Sequence, residues 1–156
     1  MVRLMTIEDY EEVHALWMKI KGFAIRSIDD SREGVERFLR RNPTTSVVAV
    51  EDGRIVGAIL CGHDGRQGCL YHVCVDPAYR RRGIGKTMVV FCMEALRKEQ
   101  INKVYLIALV SEPPRPSVVI SSSLFRPWKP ATTTTRLRSS SEEIRSVSSR
   151  VMRALV

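Results

Sequence analysis

Apolar positions recur with helical or strand spacing along the first two thirds of the chain. The apolar segment from Val2 to Met5 predicts a short strand, and two amphipathic helices are predicted after it. Thr6 with Asp9, and Asp30 with Glu33, have the three-residue spacing of capping pairs at helix starts. The apolar faces of the two helices consist of Val13, Leu16, Trp17 and Ile20 in the first, and of Val35, Phe38 and Leu39 in the second.

Three strands, a long helix and a last strand are predicted after these helices. The segments Thr45 to Glu51 and Ile55 to Cys61 flank Asp52-Gly53, a dipeptide typical of two-residue hairpin turns. The remaining predicted elements are a strand from Cys69 to Val75, a helix from Ile84 to Gln100 and an apolar strand from Lys103 to Val110. The order βααβββαβ indicates an α/β fold with a sheet flanked by helices.

The composition changes near Ser111 and divides the chain into residues 1–110 and 111–156. The tail holds 11 of the 14 serines and five of the seven prolines, but no Gly, Asp or Asn. It has eight Lys and Arg against three acidic residues, and so contributes +5 of the net charge of +8. Because residues 1–110 are only weakly basic, the overall charge does not indicate a nucleic-acid-binding surface.

The four cysteines lie in apolar segments and have no C-x-x-C spacing. We expect buried free thiols in a reducing cytosol, hence a cytoplasmic protein, and no metal site. There is no run of 18 apolar residues, so no membrane span is expected. No signal peptide is expected either, because Glu8, Asp9, Glu11 and Glu12 stand where its apolar region would lie.

The segment from Val73 to Lys86 carries the strongest chemical signal. A predicted strand ends there, a short basic loop follows, and a helix begins. Helix N-termini leave backbone N–H groups unpaired and carry partial positive charge, an arrangement that binds phosphate. Gly83 and Gly85 have no Cβ, so the backbone can approach a diphosphate closely. Further positive charge comes from Arg80, Arg81, Arg82 and Lys86.

Two other phosphate-binding motifs fit this segment less well. The dinucleotide-binding G-x-G-x-x-G pattern needs a third glycine where Met88 stands. The P-loop pattern matches at Gly85, Lys86 and Thr87, but it needs its first glycine where Arg80 stands. An acyl-CoA-binding loop is the third pattern and matches best.

The acyl-CoA pattern rests on Arg80, Gly83 and Gly85, which match the R/Q-x-x-G-x-G/A signature of the GNAT superfamily of N-acetyltransferases. A preceding Val-x-Val-x-Pro-x-Tyr, also typical of that family, is present as Val73, Val75, Pro77 and Tyr79. The chain resembles this family over about residues 1–110. The resemblance implies a GNAT-like mixed, mostly antiparallel sheet for the acetyl-CoA-binding core, with an atypical, partly irregular tail over residues 111–156.

The resemblance also implies that acetyl-CoA is the acetyl donor and that a primary amine, on a small molecule or a protein, is the acceptor. The fourth strand would separate from the fifth, and pantetheine would lie in the gap beside Val73, Cys74 and Val75. The amine would attack the thioester directly, without a covalent enzyme intermediate. The residues implied in holding the rest of the cofactor are Arg80, Arg81, Arg82, Gly83, Ile84, Gly85 and Lys86.

A base is required as well, because only a neutral amine attacks the thioester. His72 lies on the fourth predicted strand beside the implied cleft and is the candidate base, acting directly or through a water molecule. Strand alternation points it opposite to Val73, so packing or a local hydrogen bond is the alternative role. His63 is expected to be a solvated loop residue, and His14 a structural residue.

The chain departs from the family pattern after Val110. GNAT proteins commonly have an Asn-containing loop there and a helix with a tyrosine that can act as general acid toward the CoA sulfur. Here no Tyr follows Tyr105 and no Asn follows Asn102, and Pro113 and Pro114 break any helix. Translation in a shifted reading frame is our hypothesis for this tail, and a genuine divergent or disordered tail is the alternative.

Two tail segments still have the patterns of regular elements. Val118 to Ile120 could form a strand, and Glu142 to Leu155 has weak helical patterning. Either could cover the open edge of the sheet, and strand exchange in a homodimer is one such arrangement.

Two functions of different classes follow from these patterns. The first is an acetyl-CoA-dependent N-acetyltransferase. The second is a CoA-binding protein with weak or no catalysis, because the C-terminal substrate side is altered. Nucleic-acid binding through the tail is disfavoured, since its arginines are interleaved with few aromatic residues.

Overall fold

The computed structural model describes residues 1–20, 25, 28–108 and 118–120. Its strands are β1 (Val2–Leu4), β2 (Val47–Glu51), β3 (Arg54–His63), β4 (Gly68–Val75), β5 (Val104–Ala108) and β6 (Val118–Ile120). Its helices are α1 (Tyr10–Lys19), α2 (Arg32–Arg41) and α3 (Ile84–Lys98). The predicted order βααβββαβ is confirmed, and β6 follows it.

Within the described residues, the strands form one six-stranded sheet in the order β1-β2-β3-β4-β5-β6. Neighbouring strands are antiparallel except for β4 and β5. These two are parallel because α3 lies between them in the chain and returns it to the same end of the sheet. The expected mixed, mostly antiparallel sheet flanked by helices is confirmed.

Helices cover both faces of the sheet. Successive side chains of the central strands point to opposite faces, so each of these strands packs against helices on both sides. In β3, Ile59 and Cys61 join the apolar cluster that contains α3, whereas Ala58 and Leu60 join the cluster that contains α1 and α2. β3 is therefore buried on both faces. The fully buried side chains that anchor the two layers are Met88, Val89 and Leu96 of α3 on one side, and Val13, Trp17 and Val35 on the other.

The turn between β2 and β3 has the geometry that its sequence predicts. Glu51 pairs with Arg54, which leaves Asp52 and Gly53 as a two-residue loop. Both loop residues have positive φ, 50° and 73°. A loop with two such residues matches the right-handed twist of the strands that it joins, and Asp-Gly adopts it readily.

One of the two predicted capping pairs is present. The backbone N–H of Thr6 donates to Asp9 Oδ2 at 2.9 Å, and a single 3-10 turn precedes α1. The prediction that Asp30 caps α2 was wrong, because Ser31 is the cap and its Oγ accepts a hydrogen bond from Gly34 N at 3.1 Å. The carboxylate of Asp30 instead contacts His72 of β4.

All four cysteines are free thiols, as predicted. Cys61, Cys74 and Cys92 are buried, whereas Cys69 is only half-buried, so the expected burial was wrong for Cys69. Burial raises the pKa of Cys74 to about 12 and also raises the pKa values of Cys69 and Cys92, so these three are protonated at neutral pH. Among the described residues, no cluster of His, Cys, Asp and Glu has a metal-binding arrangement. The helices in this part of the chain are all too short or too polar to cross a membrane.

The composition break near Ser111 lies outside the described residues. Of the two patterned tail segments, Val118–Ile120 forms the strand β6, as its pattern indicated. The structure adds that β6 pairs antiparallel with β5. The predicted helical segment from Glu142 to Leu155 lies outside the described residues. The reading-frame hypothesis for residues 111–156 stays a prediction.

The start of α1 is tied to β1 by a buried carboxylate. Arg3 donates to both carboxylate oxygens of Asp9, at 2.7 Å and 2.6 Å. This hydrogen-bonded guanidinium lowers the pKa of Asp9. A carboxylate of lowered pKa stabilises the folded state above its unfolded-state pKa of about 4, and the contribution is lost as the pH falls through the folded-state pKa.

We therefore expect Asp9→Asn to lower the free energy of unfolding by about 1.5 to 3 kcal/mol at neutral pH, the usual value of a hydrogen bond to a charged group. The difference from the wild-type protein should shrink below about pH 4. Urea unfolding of both proteins across this pH range measures it. A difference that is independent of pH would show that the charge of Asp9 contributes nothing.

Candidate active site

The strands β4 and β5 separate within the sheet. Their parallel pairing ends at Leu70 opposite Leu106, although β4 continues to Val75 and β5 to Ala108. In the part of the chain that the structure describes, β4 beyond Leu70 thus has no strand pairing on its β5 side. Backbone N–H and C=O groups along such an edge require hydrogen-bond partners. The gap is therefore suited to an extended ligand that carries amide groups.

A β-bulge lies where this gap opens. Leu60 of β3 pairs with Tyr71 and Ala58 pairs with Cys74, so that one residue of β3 faces two residues of β4. His72 stands in the bulge with a φ of 48°, in the left-handed region that non-glycine residues seldom occupy. Bulges of this kind redirect side chains and are frequent beside active sites.

The bulge places two consecutive side chains on the same face of the sheet. The ring of Tyr71 meets Phe38 of α2 edge-on, with centroids 5.8 Å apart. The ring of His72 lies 4.8 Å from that of Trp17 of α1. Regular alternation would have sent one of these two side chains toward α3.

His72 is paired with a buried carboxylate. Its Nε2 lies 2.6 Å from Oδ1 of Asp30, and the two side chains are 20% and 7% exposed. Asp30 is itself fixed to α1, because the hydroxyl of Tyr10 donates to its backbone carbonyl at 2.8 Å. The imidazole is thus held between the Trp17 ring and the Asp30 carboxylate.

A turn held by Asp76 connects β4 to the basic loop. Oδ1 of Asp76 accepts a hydrogen bond from Ala78 N at 3.0 Å, and Oδ2 accepts one from Lys19 Nζ at 2.8 Å. Both hydrogen bonds lower the pKa of Asp76, and the one from Lys19 has the larger effect. The side chain of Arg80 folds back from this turn, and its Nε donates to the carbonyl of Val75 at 3.2 Å.

Gly83 forms the start of α3. It is the N-cap residue and has a φ of 81°, a conformation that glycine adopts without strain. A Cβ added at Gly83 would meet no atom within 4 Å, so open space lies next to the backbone at this point. The first amides of α3 have no intrahelical acceptor, and they carry the partial positive charge of the helix terminus. The loop and the helix start, which we call the anion cradle, are thus suited to hold an anion.

Three of the basic side chains around this cradle are exposed: Arg81, Arg82 and Lys86. Arg82 lies over the ring of Tyr79, 5.0 Å from its centroid, and its guanidinium is 3.8 Å from Glu51 of β2. Exposed ion pairs at that distance are weak. Arg82 can therefore turn toward a bound anion at little cost.

A match to a protein-family model identifies the family to which this chain belongs. The model of the acetyltransferase (GNAT) family matches residues 10–115, which is most of the described chain and all of the site above. The chain belongs to the GNAT family. The membership predicted from Arg80, Gly83 and Gly85 is thereby confirmed.

Curated relatives of this GNAT chain carry the name acetyltransferase. One from Sodalis glossinidius (strain morsitans) is 35% identical over 88 residues, which are 56% of this chain and 61% of that protein. Another, from Pectobacterium atrosepticum, is 30% identical over 106 residues, or 68% of this chain and 74% of that protein. The chain thus spans about three fifths of the length of the first of these relatives.

A solved GNAT structure shares the fold. PaiA N-acetyltransferase from Thermoplasma acidophilum, in complex with coenzyme A, aligns with a TM-score of 0.60. The alignment covers 69% of this chain and 78% of that one, at 18% sequence identity. At that identity the likeness concerns the fold alone.

The GNAT fold brings most of the predicted site residues to one region. The loop residues from Arg80 to Lys86 surround the helix start, and His72 stands at the opening of the gap that leads to them. Val73 and Cys74 also border the gap, but their side chains are buried in opposite apolar clusters. Only the backbone of these two residues is available to a ligand.

The other two histidines lie in structural contacts. His63 pairs with Glu99 at the C-terminal end of α3, with Nε2 2.9 Å from the carboxylate. The prediction of a solvated loop residue was wrong, because His63 lies at the end of β3 and is only 15% exposed. His14 stacks on Tyr10 within α1, with ring centroids 5.4 Å apart, as expected of a structural residue.

Sequence reasoning did not foresee the contact of Asp30 with His72. The two residues are 42 positions apart, and the spacing of Asp30 to Glu33 suggested a capping role instead. The sequence does offer Ser31 as an alternative cap of α2, but it contains no local signal that identifies His72 as a partner of Asp30.

We expect Asp76→Ala to loosen the turn that leads into the loop, because the cap on Ala78 N is removed. The free energy of unfolding should fall by about 1 kcal/mol, the usual value of such a cap. Lys19→Met, which removes only the exposed ion pair, should cost less than about 1 kcal/mol. Amide hydrogen exchange at Ala78 separates the two variants, since only Asp76→Ala should accelerate it. Equal exchange rates in both would mean that the ion pair holds the turn.

Proposed function

We propose that this protein is an N-acetyltransferase that moves the acetyl group of acetyl-CoA to a primary amine on a small molecule or a protein. The observation that carries this proposal is the edge of β4 beyond Leu70, which pairs with no strand among the described residues on its β5 side and leads into the anion cradle at Gly83. An extended ligand with amide groups at one end and a diphosphate at the other matches both parts. The GNAT relative from Thermoplasma acidophilum, which was crystallised with coenzyme A, supports the assignment.

The chain's own groups fit such a ligand. The backbone of Val73, Cys74 and Val75 would pair with the amides of pantetheine. The backbone amides from Arg81 to Lys86, which include those of Ile84 and Gly85, would hold the pyrophosphate, as the N-terminus of a helix does for other phosphates. The side chains of Arg80, Arg82 and Lys86 would add positive charge. The open space beside Gly83 admits the ligand close to the backbone.

Bound acetyl-CoA supplies a thioester, whose carbonyl carbon is open to attack by an amine. The protein's contribution is to deprotonate and orient that amine. His72 is the base in this proposal, and it takes the proton of the amine directly or through one water molecule. It stands at the bulge where β4 and β5 separate, with part of its ring accessible. As the C–N bond forms, the C–S bond of the thioester would break and CoA would leave as the thiolate. The acetyl group thus passes straight to the amine, and no residue of the protein forms a covalent intermediate.

A second candidate is a CoA-binding protein with weak or no catalysis. The observation that favours it is the sequence after β5, which contains no tyrosine and no asparagine. A group that protonates the departing CoA sulfur is thus not evident there. For either function we propose a cytoplasmic location, because four free thiols suit a reducing compartment.

The cofactor assignment predicts a specific effect of Gly83→Val. A side chain at a φ of 81° is strained, and here it would also fill the space beside the anion cradle. We expect the affinity for acetyl-CoA, measured by calorimetry, to fall by about tenfold, or about 1.4 kcal/mol, because the added side chain would occupy the space through which the diphosphate approaches the backbone.

The matched control for Gly83→Val is Gly65→Val. Gly65 has a φ of 90° and equally open space around it, but it lies in the turn before β4, at the other end of that strand. This variant should lose stability and keep its affinity. Unchanged affinity in a folded Gly83→Val protein would argue against the loop assignment, and no binding of acetyl-CoA to the wild-type protein would reject both candidate functions.

A thiol-release assay with acetyl-CoA over a panel of primary amines separates an enzyme from a binding protein. We expect release with at least one amine, and a decrease of kcat by about 10²- to 10⁴-fold in His72→Ala, the usual contribution of a general base. The affinity for acetyl-CoA should not change in this variant. His63→Ala, the control, should keep its kcat. Binding of acetyl-CoA without release by any amine would establish the second candidate.

A further inference from the structure

We propose that Asp30 is a positioning residue for His72, which it orients and holds in one tautomer for proton transfer. This inference rests on the proposed function, since it concerns the base of that reaction. It adds a residue that lies outside the loop and outside β4. Asp30 acts through His72 and does not itself touch the reacting atoms.

The contact between the two side chains is short and shielded from water. Oδ1 of Asp30 lies 2.6 Å from Nε2 of His72, and the carboxylate is only 7% exposed. A carboxylate buried to this degree is costly unless it is hydrogen-bonded. Helix capping does not explain the burial, because Ser31 caps α2. The contact with His72 is thus a reason for a carboxylate at this position.

Both members of the pair are fixed by their surroundings. Tyr10 holds the backbone carbonyl of Asp30 with a hydrogen bond of 2.8 Å, and the next residue begins the cap of α2. Trp17, which is fully buried, packs against the ring of His72. The bulge sets the direction of the His72 side chain. A base held in this way needs little reorganisation before it accepts a proton.

The contact also assigns the two nitrogens of the ring. An ionised carboxylate only accepts hydrogen bonds, so Nε2 of His72 carries the proton that it donates to Asp30. The lone pair of the neutral ring is then on Nδ1, which is the nitrogen that accepts the proton of the amine. When Nδ1 is protonated, the ring becomes positively charged, and the adjacent carboxylate of Asp30 stabilises that charge.

A second histidine–carboxylate pair in the same chain supplies the control. His63 and Glu99 are 2.9 Å apart, close to the distance in the first pair. They lie near the start of β4, where Gly68 still pairs with β5. Glu99→Gln therefore removes a comparable carboxylate at a place remote from the gap, and it should leave kcat unchanged.

The test combines ¹⁵N NMR of the His72 ring with steady-state kinetics in Asp30→Asn, Asp30→Ala and Glu99→Gln. In the wild-type protein we expect the neutral ring to carry its proton on Nε2. In Asp30→Ala we expect a mixture of His72 tautomers and a kcat lowered at least about tenfold. The KM for acetyl-CoA should stay within about twofold of wild type, because the orientation of a catalytic imidazole contributes to turnover rather than to binding. Asp30→Asn keeps the shape of the side chain and serves as the readout if Asp30→Ala does not fold.

A double-mutant cycle distinguishes positioning from a general effect on the fold. If Asp30 acts only through His72, Asp30→Asn should lower kcat in the wild-type background but hardly change it in His72→Ala. Equal losses in the two backgrounds would overturn the inference. So would a neutral His72 ring protonated on Nδ1 in the wild-type protein, or a wild-type kcat in folded Asp30→Asn and Asp30→Ala.

Failure of the inference and failure of the proposed function give different results. If the inference alone is wrong, the wild-type protein still releases thiol and the Asp30 variants match it. If the proposed function is wrong, no amine supports thiol release by the wild-type protein, and a catalytic role for Asp30 is rejected with it. The NMR spectra then still report whether the carboxylate of Asp30 sets the tautomer of His72.

Discussion

The separation of β4 from β5 after Leu70 is the constraint on which the site depends. A strand in the interior of a sheet normally has a hydrogen-bonded neighbour on each side, and here the pairing on one side ends while both strands continue. Backbone groups along this edge have to be satisfied by something else. In the proposed function, the amides of pantetheine take that place, so the fold uses its own backbone as the recognition surface and the side chains are left for packing.

The β-bulge at His72 couples this gap to the helices on one face of the sheet. An extra residue in β4 places the side chains of both Tyr71 and His72 on the side of α1 and α2. In a regular strand, these two side chains would point to opposite faces of the sheet. His72 consequently reaches Trp17 and Asp30. One irregularity in strand pairing thus brings a titratable ring, a buried carboxylate and the open edge of β4 to the same point. That combination is the basis of both the proposed base and its positioning residue.

The elements that were predicted correctly are those that short-range patterns specify. Asp52-Gly53 adopts the turn that this dipeptide favours, and the strand, loop and helix around Gly83 follow from residues that are neighbours in the chain. The capping role predicted for Asp30 was wrong because the adjacent Ser31 is also a favourable cap residue, and Ser31 is the one that caps α2. His63 was misplaced for a related reason: the end of β3 is set by pairing with β4, which the glycines around it do not reveal.

By itself, the sequence determined the family, the order of elements and the strand, loop and helix start around Gly83, because each depends on residue types at fixed short spacings. The tertiary structure alone decided where β4 leaves β5, that β4 has a bulge, and that Asp30 meets His72. These features depend on strand register and on contacts between residues 42 positions apart, and no local pattern encodes them. The loop could therefore be recognised from its residues, whereas the group that orients the proposed base became visible only after the strands and helices were packed together.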